Sequence, residues 1–133
     1  MKQYLDLLED VLAHGKRKTD PQGIGNISVF CREMRFFPAV EFPLLTTKKL
    51  PFRWIVEELL WFLTGSSRWD YLHDKKIDIW DEWGRKEVAE LYGLEKGDLG
   101  PIYGPQWIHW KKRNGGEINQ VAKLVEDLKR NPD

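Results

Sequence analysis

The apolar positions of the first helix-sized segment recur every three or four places, which predicts an amphipathic helix over residues 2–14. Gly15 is its predicted end. A run dense in Pro, Gly, Asp and Asn at 19–26 then predicts a turn. Apolar residues alternate over 27–36 and predict a strand, with a change of face that indicates a bulge.

The segment 51–64 is apolar almost all round, which predicts a helix that is buried on most sides. Pro51 suits the first helical position, where its missing N–H costs nothing, and Gly65 is the predicted end. Three more helices are predicted further along the chain, at 69–73, at 84–95 as a charged and exposed insertion, and at 117–130 as an amphipathic helix.

These elements predict an α+β fold that is incomplete in this chain. The pattern contains one convincing long strand, and a lone strand cannot satisfy its own backbone hydrogen bonds. The sheet therefore needs strands hidden in the loops or supplied by another segment. A length of 133 residues suits one domain, so we expect residues 1–133 to belong to a single domain.

Charge and composition exclude several classes of function. The 21 basic and 21 acidic side chains balance, which argues against bulk electrostatic binding to nucleic acid or to an anionic membrane. No apolar run reaches membrane-spanning length, and the acidic N-terminus is unlike a signal peptide, so a cytoplasmic protein is expected. The histidines stand apart and Cys31 is alone, so we expect no metal site and interpret Cys31 as a small buried hydrophobe.

Glu58 is the strongest catalytic candidate on physical grounds. Its helical neighbours three and four positions away are all apolar. A carboxylate on an apolar face loses hydration, which disfavours its charged form and suits it to proton transfer. The alternative is a carboxylate at the edge of that face, or one paired with a distant cation. Glu57 differs, because it can pair with Arg53 one turn earlier.

Aromatic residues supply the next candidates, since the chain has seven tryptophans. Trp80 and Trp83 are predicted on one side of a helical turn, where they are either core residues or a stacking surface for a flat ligand. The segment 100–104 is a rigid turn that presents Tyr103 between glycines. Its phenol either donates a hydrogen bond into a pocket or caps a loop.

Together these segments resemble the N-terminal half of thymidylate synthase, in order and with family-like spacing. The resemblance covers essentially the whole chain and implies that family's mixed sheet with packed helices, present here only in part. Its most specific motifs are EELLWFL, IWDEW and GDLGPIYGPQW. The matching segments are MKQYLDLLEDVL, KTDPQGIGNISVF, FPLLTTKKL, EELLWFLTG, IWDEW, GDLGPIYGPQW and LKRNPD.

The resemblance implies a methyltransferase that makes dTMP from dUMP, with 5,10-methylenetetrahydrofolate giving both the methylene group and the reducing hydride. In that family a cysteine attacks carbon 6 of the uracil, and carbon 5 becomes the nucleophile. Glu58 resembles the glutamate that manages protons through ordered water, and Tyr103 resembles the tyrosine that helps remove the carbon 5 proton. The residues that resemble folate contacts are Lys48, Ile79, Trp80 and Trp83.

Two positions depart from the family pattern. The family turn usually reads Asp-Arg-Thr-Gly-x-Gly, and its arginine grips the nucleotide phosphate, whereas Pro21 stands at that position here. Pro51 stands where the family often has a histidine that touches folate. These changes leave open a divergent subfamily or a related pyrimidine nucleotide hydroxymethylase.

The family's nucleophilic cysteine lies beyond the half that this chain resembles, and Cys31 stands where the family has none. We therefore expect the isolated chain to be inactive and to need a C-terminal half or a second subunit. For the complete enzyme the resemblance implies a homodimer. A non-catalytic paralogue that pairs with an intact synthase subunit is the remaining alternative.

Overall fold

The computed structural model describes residues 1–132. It divides the chain into two compact units, Met1–Leu50 and Pro51–Asp133. Helices are combined with short antiparallel strand pairs, so the predicted α+β class is confirmed. Among the described residues, no helix has both the length and the apolar character needed to cross a membrane.

The first unit contains one helix and one hairpin. Helix α1 (Lys2–His14) has the predicted bounds and ends at Gly15. Strands β1 (Lys16–Lys18) and β2 (Asn26–Ser28) pair antiparallel. The Asp20 carboxylate accepts two backbone N–H groups of the connecting turn, at 3.0 and 3.1 Å, which is the local chemistry expected of an Asx turn.

The predicted strand over 27–36 is wrong beyond its start, because β2 ends at Ser28. The following backbone is irregular, and Cys31 adopts a positive φ of 44°. The side chain of Arg32 explains this. Its guanidinium pairs with Asp10 at 2.6 Å and donates to the carbonyls of Phe30 and Cys31, which would accept hydrogen bonds from a neighbouring strand in a sheet. The interpretation of Cys31 as buried is also wrong, since its side chain is exposed.

The second unit is built around helix α2 (Phe52–Thr64) and the short helix α3 (Asp70–Asp74). Helix α2 ends at Gly65, which takes the left-handed conformation usual for that position. The chain then turns so that α3 packs on α2. The fully buried side chains at the centre of this unit are Trp61, Leu72 and Ile77.

The rest of the second unit consists of shorter elements. They are α4 (Lys86–Leu91), α5 (Tyr103–Ile108), the antiparallel strands β3 (Trp110–Lys111) and β4 (Glu117–Ile118), and α6 (Gln120–Arg130).

The predicted helix over 117–130 begins three residues later than expected. Glu117–Ile118 instead forms strand β4, which pairs with β3. Asn119 then caps α6, because its side-chain oxygen accepts the N–H of Ala122 at 2.8 Å. A cap residue close to the first apolar position is the signal that would have corrected the boundary.

The expectation that α2 is buried on most sides is wrong for the described chain. Trp61 is the one fully covered residue of the helix. The elements of the second unit cover one side of α2 and leave the other accessible. The apolar residues on the accessible side are between 38% and 48% exposed, and they are Ile55, Val56, Leu59, Leu60 and Leu63.

Replacing Gly65 by alanine should destabilise the second unit. Gly65 has φ +75°, and an added Cβ would lie 2.8 Å from the His109 ring and 2.9 Å from Ile108. We expect left-handed strain of about 1–2 kcal/mol and overpacking of about 1–3 kcal/mol, measured as the free energy of unfolding in urea. Gly93→Ala is the matched control, because Gly93 has φ +68° and open space around it. Equal losses in both variants would contradict a packing role for Gly65.

Candidate active site and ligand cavity

The central feature of the candidate site is a carboxylate held by an indole. Glu58 lies half-buried on α2, and its Oε1 accepts a hydrogen bond from Trp80 Nε1 at 2.6 Å. Trp80 belongs to a turn in which the N–H of Trp83 donates to the Trp80 carbonyl at 3.1 Å. A hydrogen bond this short is directional, so it fixes the orientation of the Glu58 side chain. Glu58 is therefore bonded to a neutral indole, and not to the distant cation of the alternative interpretation.

Aromatic rings connect this pair to Tyr103. The Phe62 ring lies 6.3 Å from Trp80, 5.1 Å from Tyr103 and 5.6 Å from Trp107, measured between ring centroids. Trp80 and Tyr103 are themselves 6.3 Å apart in an edge-on arrangement. These are the separations at which aromatic pairs attract each other. The structure therefore brings Trp80, Tyr103 and the carboxylate of Glu58 to one place.

Tyr103 is positioned by the glycine that follows it. Gly104 is buried where α5 crosses α2, and an added Cβ would lie 3.1 Å from the carbonyl oxygens of Phe62 and Ser66. The two helices can approach this closely because the residue has no side chain. Tyr103 is the first residue of α5, and it remains half-exposed beside the aromatic rings. Its phenol is thus accessible to a ligand.

Beside this cluster lies an apolar cavity of about 390 Å³. Trp80 and Trp83 both line it, so the structure places the two indoles at one surface. Ile79 is exposed and is not among the lining residues. Of the residues that line the cavity, only Asp98 is charged. The lining residues are Trp80, Trp83, Val88, Ala89, Tyr92, Leu94, Asp98, Leu99, Pro101 and Ile102.

Asp98 is held as a carboxylate acceptor. The Ser67 hydroxyl and the backbone N–H of Gly100, at 2.9 Å, donate to it, and Arg68 adds a weaker attraction. These donors lower the pKa of Asp98 from its ordinary value, because they favour the charged form. An ionised oxygen at the edge of an apolar cavity suits a ligand that carries N–H donors.

Lys48 belongs to the first unit, where it is exposed at a bend in an irregular segment. Its role as a contact for the folate tail stays a prediction. The roles of Glu58, Tyr103 and Ile79 stay predictions as well, because geometry places side chains without naming their ligands.

One residue that sequence reasoning missed is Asp81. Its carboxylate accepts the Trp69 indole N–H at 2.9 Å and contacts His73 Nδ1 at 3.1 Å. The Trp69 and His73 rings stack at 4.8 Å, so the three side chains form one cluster. This cluster fixes the turn that begins at Trp80. The available signal was a carboxylate between two tryptophans, downstream of a histidine on a short helix.

Glu57 has different partners from the one expected. It binds Lys75 Nζ at 3.0 Å and accepts the Tyr71 hydroxyl at 3.1 Å. Arg53 instead donates to the carbonyl of Lys75 at 2.5 Å. The hydrogen bond from Lys75, followed by that from Tyr71, lowers the pKa of Glu57 from its ordinary value. Glu57 therefore connects α2 to α3, whereas Glu58 faces the aromatic site.

An oriented carboxylate and a nearby phenol thus lie beside an apolar cavity walled by indoles, an arrangement chemically suited to a planar ligand and to proton exchange. The family model described as thymidylate synthase matches residues 2–133. The chain therefore belongs to the thymidylate synthase family, whose activity is methyl transfer in dTMP biosynthesis.

Glu57→Gln should make the stability of the second unit less dependent on pH. Because the pKa of Glu57 is lowered on folding, its charged form stabilises the folded state above the carboxyl's unfolded pKa. That contribution is lost as the pH falls through the lowered pKa. We expect the wild-type chain to be more stable than the variant at neutral pH and the two to converge in acid, as measured by urea unfolding across pH.

Glu90→Gln is the matched control for this pH series, because Glu90 pairs with Lys86 at 3.5 Å on an exposed face of α4. Exposed pairs of this kind contribute little to stability, so we expect a small difference at every pH. A gap between wild type and Glu57→Gln that stays constant into acid would contradict the ionic role of Glu57.

Proposed function

We propose that this chain supplies the proton-handling and folate-facing part of a thymidylate synthase, which converts dUMP to dTMP with 5,10-methylenetetrahydrofolate. The observation that carries the proposal is the 2.6 Å hydrogen bond from Trp80 to Glu58 beside the phenol of Tyr103. Membership of the family makes this reaction the first to consider.

Glu58 is proposed to move protons through water. A carboxylate has two oxygens, so one can hold its orientation through the Trp80 indole while the group exchanges a proton with water. Half-burial on α2 limits how many waters compete for it. Tyr103 is proposed to assist removal of the carbon 5 proton, because its phenol is exposed at the same aromatic cluster.

The cavity beside Trp80 and Trp83 is proposed to hold the ring system of the folate. Its volume of about 390 Å³ is within the usual range for small-molecule sites, and its walls are mostly apolar. Asp98 can accept N–H groups of an amino-substituted ring. When bound, the folate supplies the one-carbon unit and the reducing hydride. Lys48 and Ile79 are proposed as further folate contacts.

The attacking thiol is proposed to belong to polypeptide outside these 133 residues. Cys31 is the one cysteine of the sequence, and it is exposed on the irregular segment of the first unit. Residues 1–133 would then be the N-terminal part of a single domain. We expect the complete enzyme to be a cytoplasmic homodimer, with its remaining phosphate contacts supplied by that other polypeptide.

The purified chain alone should release no tritium from dUMP labelled at carbon 5. Loss of that atom requires prior addition of a thiol at carbon 6. The proposal assigns this thiol to other polypeptide and not to Cys31. The measurement is tritium in water after incubation with dUMP and 5,10-methylenetetrahydrofolate. Release above background from pure material would contradict the assignment of the thiol to another polypeptide.

Joined in frame to the C-terminal half of a thymidylate synthase, the chain should form dTMP. In that fusion, Glu58→Gln should lower kcat by about 100- to 10,000-fold, the usual contribution of a positioned acid–base group. Glu57→Gln is the matched control, because Glu57 binds Lys75 and Tyr71, and it should change kcat little. Equal effects of the two substitutions would contradict the role of Glu58, and a folded but inactive fusion would contradict the proposed reaction.

A further inference from the structure

Residues 85–96 form an excursion from the second unit, and the two ends of this excursion meet at its base. The N–H of Gly97 donates to the carbonyl of Gly84 at 3.1 Å, so the two ends of the segment meet. Trp69 packs against both glycines: an added Cβ would lie 2.7 Å from its ring at Gly84 and 2.9 Å from it at Gly97. Arg68 also donates to the carbonyl of Lys96 at 3.0 Å. The segment is therefore an excursion whose base is fixed in place.

The inner face of this excursion is apolar and lines the cavity. Ala89 is 2% exposed, and its carbonyl accepts the N–H of Leu94 at 3.0 Å, which folds the segment back on itself. Val88 is half-buried in the cavity wall, and Tyr92 is exposed at its edge. The outer face of α4 is charged. An amphipathic excursion with its apolar side on the cavity is suited to covering a bound ligand.

We propose that the segment 85–96 is the outer wall of the folate cavity, and that Val88 and Tyr92 determine how large an aromatic ring system can lie against Trp83. This inference rests on the proposed function, because it takes the cavity to be the folate site.

The chemistry of the lining residues indicates which class of ligand the cavity can bind. Trp80 and Trp83 offer flat apolar surfaces, which favour a planar ring system. Asp98 is the charged member of the lining, and a carboxylate accepts N–H groups. The cavity therefore fits an amino-substituted fused heteroaromatic ring. Val88 is half-buried on α4 beside the buried Ala89, so it limits the ring's extent more firmly than the exposed Tyr92 does.

The test compares two probes by titration calorimetry on the full 133-residue chain. The probes are an aminoquinazolinone, with two fused rings, and its benzo-fused analogue, with three. Val88→Phe narrows the cavity and should weaken the three-ring probe by about tenfold or more relative to the two-ring probe. Tyr92→Ala opens the edge of the cavity, so it should shift the ratio of the two affinities in the opposite direction.

Glu87→Phe is the matched control, because Glu87 is exposed on α4 and does not line the cavity. It should leave both affinities unchanged, and circular dichroism should show the same helix content in all variants. Equal shifts of the two probes, an effect of Glu87→Phe as large as that of Val88→Phe, or no binding of either probe to the wild-type chain would each overturn the inference.

The outcome is distinguishable from failure of the proposed function. Suppose that the fusion forms dTMP but Val88→Phe leaves the preference between the two probes unchanged. The role of residues 85–96 as a cavity wall would then be refuted, and the proposed reaction would stand. Ring selectivity that follows Val88 and Tyr92 in a chain whose fusion forms no dTMP would refute the reaction and retain an aromatic cavity.

Discussion

The hydrogen bond from the Trp80 indole to the Glu58 carboxylate joins the longest helix of the second unit to the turn that carries the cavity-lining tryptophans. Without it, a half-buried carboxylate would lack the donor that offsets its loss of hydration. The same Trp80 side chain also lines the cavity. One contact thus positions both the Glu58 carboxylate and the Trp80 indole.

Close backbone approaches hold the elements that this bond connects. Gly104 lets α5 cross α2, and Gly84 and Gly97 let the excursion close around Trp69. Asp81 then ties the Trp69 indole to the turn that begins at Trp80. The network is continuous from the base of the excursion to Glu58. A shift at the Trp69 contacts would therefore move the proposed cavity wall and the Glu58 carboxylate together.

Local signals predicted α1 and α2 because apolar spacing and a terminal glycine agree in both helices. The same reasoning failed where tertiary contacts decide. Arg32 serves the backbone that was predicted as a strand, and the hairpin takes the first residues of the last predicted helix. Neither outcome is visible in periodicity, because the spacing of apolar residues records neither a side chain that hydrogen-bonds the neighbouring backbone nor the pairing of a short hairpin.

At the site, apolar neighbours singled out Glu58, but they could not name its partner. Trp80 is 22 positions away, and a helical pattern carries no information about it. The segments Trp80–Trp83 and 100–104 were found because tryptophans and glycines are unusual enough to stand out. Asp81 was missed because an aspartate between tryptophans looks like a solvated turn residue until its indole and imidazole partners are known.

Two features of helix α2 bear on the proposed function. Trp61 is fully buried, yet its indole N–H has no hydrogen-bond partner among the described residues, and such a group costs about 1–3 kcal/mol. The opposite side of the same helix carries apolar residues such as Leu59 and Leu60 that are nearly half-exposed. A helix that has a complete core on one side and an apolar surface on the other gains from being covered there. The proposal that the thiol comes from polypeptide outside these residues accounts for the second feature, since such polypeptide could also cover the apolar side of α2.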